Sequence, residues 1–520
     1  MVNQKLSSYG LATLSGILLL LSFPPFNLGG LLAWVALVPL LIAIYYEKSL
    51  KRVGRLAIVS CLIVFVPITS WFYYEFQVFI PPPFTLVVLL VSAIVAGVYS
   101  DFFRVYWKPK ELPTLKLRYL PSTLQIFILP IVWTAFEFLA FNVPIIMKLM
   151  GGFGFFSIAK TQWLNIPIIQ LASFTGMYGV TFLILSVNCA IACAITRYKE
   201  DGYVSKPAIA VVFGFLVIFT LGWLGVPSPS GEGIGIAIIQ APPPKEGNIG
   251  DLYVDLSEES LKYNPEIILW AAWMFEGPEI EPFANFSKEH DVYLTGFGKT
   301  LQKGPSIALV SPDGKLNYYN MKYHYTNLFD GIIPFNPDKA FWPEIRAFDT
   351  EFGKVGTPVC METSSTFPTR KLIKGGAQWI MTNTGTIGFS FPQQIGSNVV
   401  YRAVEHRVPA AAAGPDEASI VVDPYGRIVN SVSTPEMVVG KLSFVEEKTF
   451  YTRYGDVFGW TIVLLFAALW VSNFYLKRKN PFKYCIHCNT KLKKDVKTCD
   501  KCGKKADERV LKTLWGIIPP

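Results

Sequence analysis

Four cysteines near the C-terminus have the spacing of a metal site. Cys485-Ile-His-Cys488 is followed, after ten residues, by Cys499-Asp-Lys-Cys502. Two Cys-x-x-Cys knuckles at that distance supply four thiolates for a tetrahedral zinc. With sulfur at all four positions no site stays open for water, so the expected role is structural. A module of about 25 residues cannot fold on a core of its own and depends on the metal. A basic ribbon also suits nucleic acid or protein, but no residue here selects a partner.

The chain has eight cysteines. Cys61, Cys189 and Cys193 lie in apolar runs and read as small packing residues. That leaves Cys360, which closes the run Lys354-Val-Gly-Thr-Pro-Val-Cys360-Met-Glu362. The run reads as the end of a strand with the thiol on a turn, a place suited to a nucleophile. A buried packing cysteine is the other reading of the same spacing. A nucleophilic thiol needs a lowered pKa or an adjacent base, and acyl transfer needs donors for the oxyanion. Lys322, in Tyr318-Tyr-Asn-Met-Lys322, ends another expected strand and could serve both needs. A surface lysine is its plainer reading. His324, two residues on, reads first as a surface or packing histidine.

Which elements position these groups? Of 520 residues, 51% are hydrophobic and only 16% charged, which excludes a disordered or collagen-like chain. The mean hydropathy of +0.37 is high for a soluble protein. The excess falls at 9–226 and 457–476, while 232–447 reads as an ordinary globular domain. A bilayer core needs about 20 apolar residues per helical span. Eight stretches qualify, near 9–24, 29–46, 55–74, 84–103, 123–142, 176–196, 207–226 and 457–476. The first lacks a small-residue cleavage site and reads as a retained span.

The net charge of +9 belongs mostly to loops between these stretches. Lys48, Lys51, Arg52 and Arg55 fill one loop. Arg104, Lys108, Lys110, Lys116 and Arg118 fill another, and Arg197, Lys199 and Lys206 a third. Lys477, Arg478 and Lys479 follow the last stretch, and loop 75–83 has no Lys or Arg. Short basic loops stay cytoplasmic. Both termini are therefore expected inside, with domain 232–447 outside the cytoplasm between spans seven and eight. There is no strong case for nucleic acid. Connection 143–175, rich in glycine and aromatics, reads equally as a re-entrant or interfacial segment and as a buried connection.

From Gly231 short apolar runs appear at Ile234–Ile239, Ile267–Trp270, Val292–Thr295, Ile307–Val310, Val355–Val359, Trp379–Thr382 and Ile420–Val422. Helix-like stretches such as Leu252–Lys262 and Asn398–His406 lie between them. The alternation predicts an α/β domain with packed sheets. Ser311-Pro-Asp-Gly314 and Asp423-Pro-Tyr-Gly426 predict tight turns.

Three ordered features resemble the nitrilase (carbon–nitrogen hydrolase) superfamily. They are Pro312-Asp-Gly followed by Tyr-x-Met-Lys322, then Val359-Cys360-Met-Glu362, then Arg402-Ala-Val-Glu405-His-Arg-Val-Pro409 leading to Val422-Asp-Pro-Tyr-Gly-Arg427. With eight spans and the domain between the last two, the chain is similar to the apolipoprotein N-acyltransferases over about residues 1–480. The run Gln170-Leu-Ala-Ser-Phe-Thr-Gly-Met-Tyr-Gly179 adds to that likeness. The resemblance implies a multi-pass α-helical membrane domain (1–228, seven spans), an extracytoplasmic αββα nitrilase-like sandwich (232–447) and an eighth span (457–476). A cytoplasmic zinc ribbon (483–506) is added to the pattern.

The same resemblance implies a Glu–Lys–Cys triad and ping-pong acyl transfer in the cell membrane. Cys360 takes an acyl chain from a membrane lipid as a thioester and passes it to a lipoprotein's N-terminal amine, with no cofactor needed for catalysis. Lys322 and the Met361 N–H serve the oxyanion, Glu362 follows the nucleophile, and Asp330 stands where a supporting Glu is usual. One departure bears on activity. In Ile267-Ile-Leu-Trp270-Ala271-Ala272, alanine occupies the place of the general-base Glu. Base assistance typically contributes about 10²–10⁴-fold. Glu276 is the replacement base expected from position, through a rearranged loop; His324 or Glu362 are others. The alternatives to acyl transfer are a nitrilase-like pseudoenzyme that binds lipid or lipoprotein, and a membrane-bound amidase.

Overall fold

The computed structural model describes residues 2–27, 30–47, 50–68, 125–142, 157–202, 204, 206–227, 233–241, 249–276, 281–300, 304–320, 347–358, 360–383, 391–414 and 419–479, and in the tail 483–484, 491–492, 498–499 and 503. The described residues of the N-terminal half are mainly helical. Its long elements are α1 (Val2–Ser22), α2 (Val38–Tyr46), α3 (Leu50–Ile68), α4 (Ile128–Asn142), α5 (Met177–Asp201) and α6 (Lys206–Leu224). Within α5 and α6, Met177–Lys199 and Lys206–Leu224 are long and apolar enough to cross a bilayer. On α6 large apolar side chains face outward, with Phe213 66% and Trp223 68% exposed. The expected span at 84–103 lies outside the described residues.

The stretch 29–46 does not form the single helix expected of a span. A 3-10 helix at Leu31–Trp34 is followed by turns and only then by nine-residue α2, with Pro39 in its first turn. The break is held by a side chain from α5. Asn188 Oδ1 accepts from Leu37 N at 2.9 Å, and Asn188 Nδ2 donates to Ala33 O at 2.8 Å. Backbone groups that the helix cannot satisfy find partners there. The described part of connection 143–175 is largely a buried one. Residues 157–163 are buried, with a 3-10 helix at Ile158–Gln162 and Tyr401 Oη donating to Ala159 O at 2.6 Å.

The second half is a two-sheet sandwich. The first sheet runs β11-β12-β1-β2-β3-β4-β5. Its strands are β1 (Ile234–Ile239), β2 (Ile267–Glu276), β3 (Tyr293–Thr300), β4 (Gly304–Val310), β5 (Leu316–Asn320), β11 (Asn430–Ser433) and β12 (Met437–Leu442). The second runs β10-β9-β8-β7-β6, from β6 (Phe348–Thr350), β7 (Gly353–Gly356), β8 (Trp379–Asn383), β9 (Ala410–Ala413) and β10 (Ile420–Val422). Strands β1–β2–β3 and β7–β8–β9 pair in parallel. Both expected turns form, at Ser311–Gly314 between β4 and β5 and at Asp423–Gly426 after β10.

Strand alternation explains the layers. Ile236 and Ile238 face the second sheet's Trp379, Met381 and Ala411. Ala237 and Ile239 face away and pack with Tyr253 of α7 (Ile249–Ser260) and Phe283 and Phe286 of α8 (Glu281–His290). The second sheet's outer residues Ala410, Ala412 and Val422 join Val399, Val400, Ala403 and Val404. The order is helix, sheet, sheet, helix, as expected. The same core cluster continues into α1–α6, so the sandwich and the helical half share one interior.

Candidate active site

The Cys360 turn lies between β7 and the helix that follows it. Strand β7 ends at Gly356, Thr357 is buried, and a 3-10 helix spans Cys360–Ser364. Helix α9 (Thr366–Lys374) starts directly after, capped by Ser365, whose Oγ accepts from Phe367 N at 3.3 Å. The backbone thus puts Cys360 on a turn just past a strand, as the sequence predicts. The side chains of Cys360 and Met361 lie outside the described residues. Glu362 is fully buried. Lys322, His324 and Asp330 also lie outside them; β5, the strand that leads to Lys322, ends at Asn320.

Strand β2 does not stop at Ala272. It runs on to Glu276, with irregular register against β3 between Leu269 and Phe275. Glu276 therefore sits on an extended strand opposite Lys299 and not on a rearranged loop. The side chains of Ala272 and Glu276 lie outside the described residues. Across the sandwich, Asn383 Nδ2 at the end of β8 donates to Trp270 O of β2. The carboxyl end of β8 thereby meets the middle of β2, and the Cys360 turn follows the end of β7, the strand beside β8. A crevice at the carboxyl ends of parallel strands is where α/β folds place ligands.

Behind the turn stands α10 (Phe391–His406). Asn398 Nδ2 lies 3.5 Å from Thr363 Oγ1, three residues after Cys360 in the chain. About one and two turns further along α10, Arg402 and Glu405 form a fully buried ion pair at 3.0 Å. Glu405 Oε1 also accepts from Met177 N at 2.9 Å, at the first residue of α5. An anion at a helix N-terminus is favoured by the unpaired N–H groups there. Burial nevertheless pushes the Glu405 carboxyl up to about 7, against the pull of Arg402 and the Met177 N–H. Gly176, at φ +66°, lets these elements meet: a Cβ there would lie 2.8 Å from the Tyr451 ring and 3.5 Å from Glu405 Oε1.

Sequence reasoning missed a second polar cluster. Thr366 Oγ1, at the start of α9, lies 2.7 Å from Asn142 Oδ1 and 3.2 Å from Asp456 Oδ1. Asn142 ends α4 and donates to Tyr178 Oη of α5 at 2.5 Å. Asp456 precedes α12 (Val457–Lys479), accepts from Tyr451 Oη at 2.5 Å and stands 3.7 Å from Arg370 Nη1. Tyr451 belongs to α11 (Phe450–Tyr454). A single Asn or Asp at a helix end reads as a cap, so no local signal marks these residues as a group.

Two family models match the chain. One, described as the apolipoprotein N-acyltransferase N-terminal domain, matches residues 15–190. The other, carbon-nitrogen hydrolase, matches residues 246–445. An apolipoprotein N-acyltransferase of Geobacter metallireducens is 27% identical over 505 residues, covering 88% of this chain and 93% of its own length. One from Thermotoga maritima is 26% identical over 501 residues, covering 89% and 93%. Apolipoprotein N-acyltransferase 1 of Treponema denticola is 24% identical over 557 residues, covering 90% and 97%.

Proposed function

From a chain that carries both domains of the apolipoprotein N-acyltransferases, we propose a membrane enzyme that moves an acyl chain through a thioester on Cys360 to the N-terminal amine of a lipoprotein. The observation that carries this reading is the order of parts at one end of the sandwich. A strand, a turn with the chain's one extramembrane cysteine outside the tail, and a helix seated on the ends of apolar helices follow one another. Cys360 gives its proton to a base and attacks the ester carbonyl of a membrane lipid. Lys322 and the Met361 N–H hold the oxyanion, with Glu362 and Asp330 in support. The C–O bond breaks, and the lysolipid alkoxide takes the proton and leaves. The lipoprotein amine then attacks the thioester. The C–S bond breaks, an amide forms, and the amine's proton restores the thiol. Glu276, on β2 beyond Ala272, is assigned the base.

Eight spans with both termini cytoplasmic fit this chemistry. The exposed apolar faces of α6 and α12, with Leu464 69% exposed, suit lipid and not water. The C-terminal end of α4 and the N-terminal ends of α5 and α12 all meet the sandwich. Alternating spans would bring those ends to the same side of a bilayer.

A thioester trap tests the function. The protein is incubated with membrane phospholipid, and the mass of the Cys360 peptide is read with and without hydroxylamine. A hydroxylamine-labile acyl adduct that is absent in Cys360→Ala is expected. A folded protein that takes no acyl group from any lipid would instead favour the lipid-binding pseudoenzyme.

The tail is assigned a structural zinc on Cys485, Cys488, Cys499 and Cys502. Three of these ligands lie outside the described residues, but the surrounding backbone suits two knuckles. Lys483–Tyr484 and Lys491–Leu492 pair antiparallel on either side of the first. At the second, Cys499 is buried and its carbonyl accepts from Gly503 N at 2.8 Å, with Gly503 at φ +66°. The metal would supply the folding energy of the module and no catalytic chemistry.

A further inference from the structure

The polar cluster at the start of α9 joins the nucleophile turn to three apolar helices through side chains. Thr366, six residues after Cys360, is fully buried, and its hydroxyl lies between Asn142 Oδ1 and Asp456 Oδ1. Thr366 N and Ser365 Oγ lie 3.4 and 3.5 Å from the same Asn142 oxygen. Asn142 is fixed in turn by Tyr178 and by Phe138 O, to which it donates at 3.0 Å. Asp456 gathers Thr366, Tyr451 and Arg370 at the head of α12. The Arg370 guanidinium fills the space where Gly455, at φ +72°, would carry a side chain. Polar side chains at the ends of apolar helices are costly unless satisfied, and here they satisfy one another.

Stability alone does not require this arrangement. Asn142 and Asp456 could cap their helices with water or their own backbone, as such residues do elsewhere. Instead each reaches the first turn of the one helix that follows Cys360. The geometry assigns Asn142, Thr366 and Asp456 a positioning role: they hold the Cys360 turn at a fixed height against the lipid-facing helices, so that a donor ester in the bilayer and the thiol meet in register. Displacement of a reacting group by about 1 Å can cost on the order of 10²-fold in rate. The role rests on the proposed acyl transfer for its purpose, but not for its detection.

Detection uses two maleimides on the full chain in phospholipid vesicles. One is water-soluble and the other is anchored on a phospholipid headgroup. Alkylation of the Cys360 peptide is followed by mass, and the ratio of the two rates reads the thiol's height without any turnover. Thr366→Val and Asp456→Asn are expected to lower the lipid-anchored to soluble ratio by about fivefold or more, with the soluble rate within about twofold. Thr366→Ser, which keeps the hydroxyl, is expected to restore the wild-type ratio. If Asp456→Asn does not fold, the two Thr366 variants carry the same comparison. A ratio unchanged in Thr366→Val, or one that Thr366→Ser fails to restore, overturns the inference. A wild-type protein that never forms an acyl adduct would sink the proposed function and leave the ratio informative.

Discussion

Glu405 and His406 are neighbours with opposite responses to burial. The Glu405 carboxyl is pushed up from 4.5 to about 7 by burial, which Arg402 and the Met177 N–H only partly offset. The His406 imidazole is pushed down from 6.5 to about 3 by burial first and by Arg402 and Arg370 after it. The folded chain therefore holds a proton on Glu405 that the unfolded chain releases. That contribution favours the fold below about pH 4.5 and is lost as pH rises to about 7. His406 works the other way. Its contribution is full above about pH 6.5 and is lost as pH falls towards about 3. Each is on the order of 3–5 kcal/mol, so between about pH 4.5 and 6.5 they largely cancel. Single variants should unmask them. In Glu405→Gln, acidification from pH 6.5 to 4.5 is expected to lower the thermal unfolding midpoint more steeply than in wild type. In His406→Asn the same change is expected to raise it. Parallel pH curves for all three proteins in detergent would contradict the assignment.

At the scale of elements, the broken helix at 31–46 shows what hydropathy can and cannot read. The stretch is apolar enough for a span, and composition alone reports one. The break depends on Asn188, which lies 151 residues from Leu37 and bonds to the backbone on both sides of it. Asn188→Leu should strand Leu37 N and Ala33 O in an apolar setting. At about 1–3 kcal/mol for each buried group left unpaired, a loss of roughly 2–5 kcal/mol is expected. It should appear as a lower unfolding midpoint read by tryptophan fluorescence, since Trp34 packs at the break. Asn188→Ser keeps a hydroxyl that can both accept and donate and should lose less; equal losses would argue against the hydrogen-bond account. The strands tell a similar story. β1, β8 and β10 are rich in branched or aromatic residues and match their expected ranges closely. β9 is Ala410–Ala413, four alanines with no strand preference of their own, and its pairing with β8 and β10 makes it a strand. The Cys360 turn was legible because a small, apolar run ends there. The Asn142–Thr366–Asp456 cluster was not, because its members come from three separate regions of the chain.

At the scale of the whole molecule, the proposed topology rests on the alternation of basic loops. In the proposed topology the sandwich would face outward and the tail would face the cytoplasm, where thiols stay reduced and four of them can hold a metal. This makes two expectations that stand or fall together. The purified full chain should carry about one zinc, and Cys488→Ser or Cys502→Ser should lose it. In sealed inside-out membrane vesicles, trypsin should cut only the basic loops and the tail, beyond Lys477-Arg-Lys479, and leave domain 232–447 intact. Pre-treatment with a zinc chelator should speed cleavage within 483–506, because a module this small has too little core to stay folded without its metal. The sandwich shares its interior with the helical half and not with the tail among the described residues, so chelation should leave the proposed acyl transfer unchanged. A zinc-free chain, or a sandwich digested from the cytoplasmic face, would break the assignment of sides on which both the proposed metal site and the proposed acyl transfer depend.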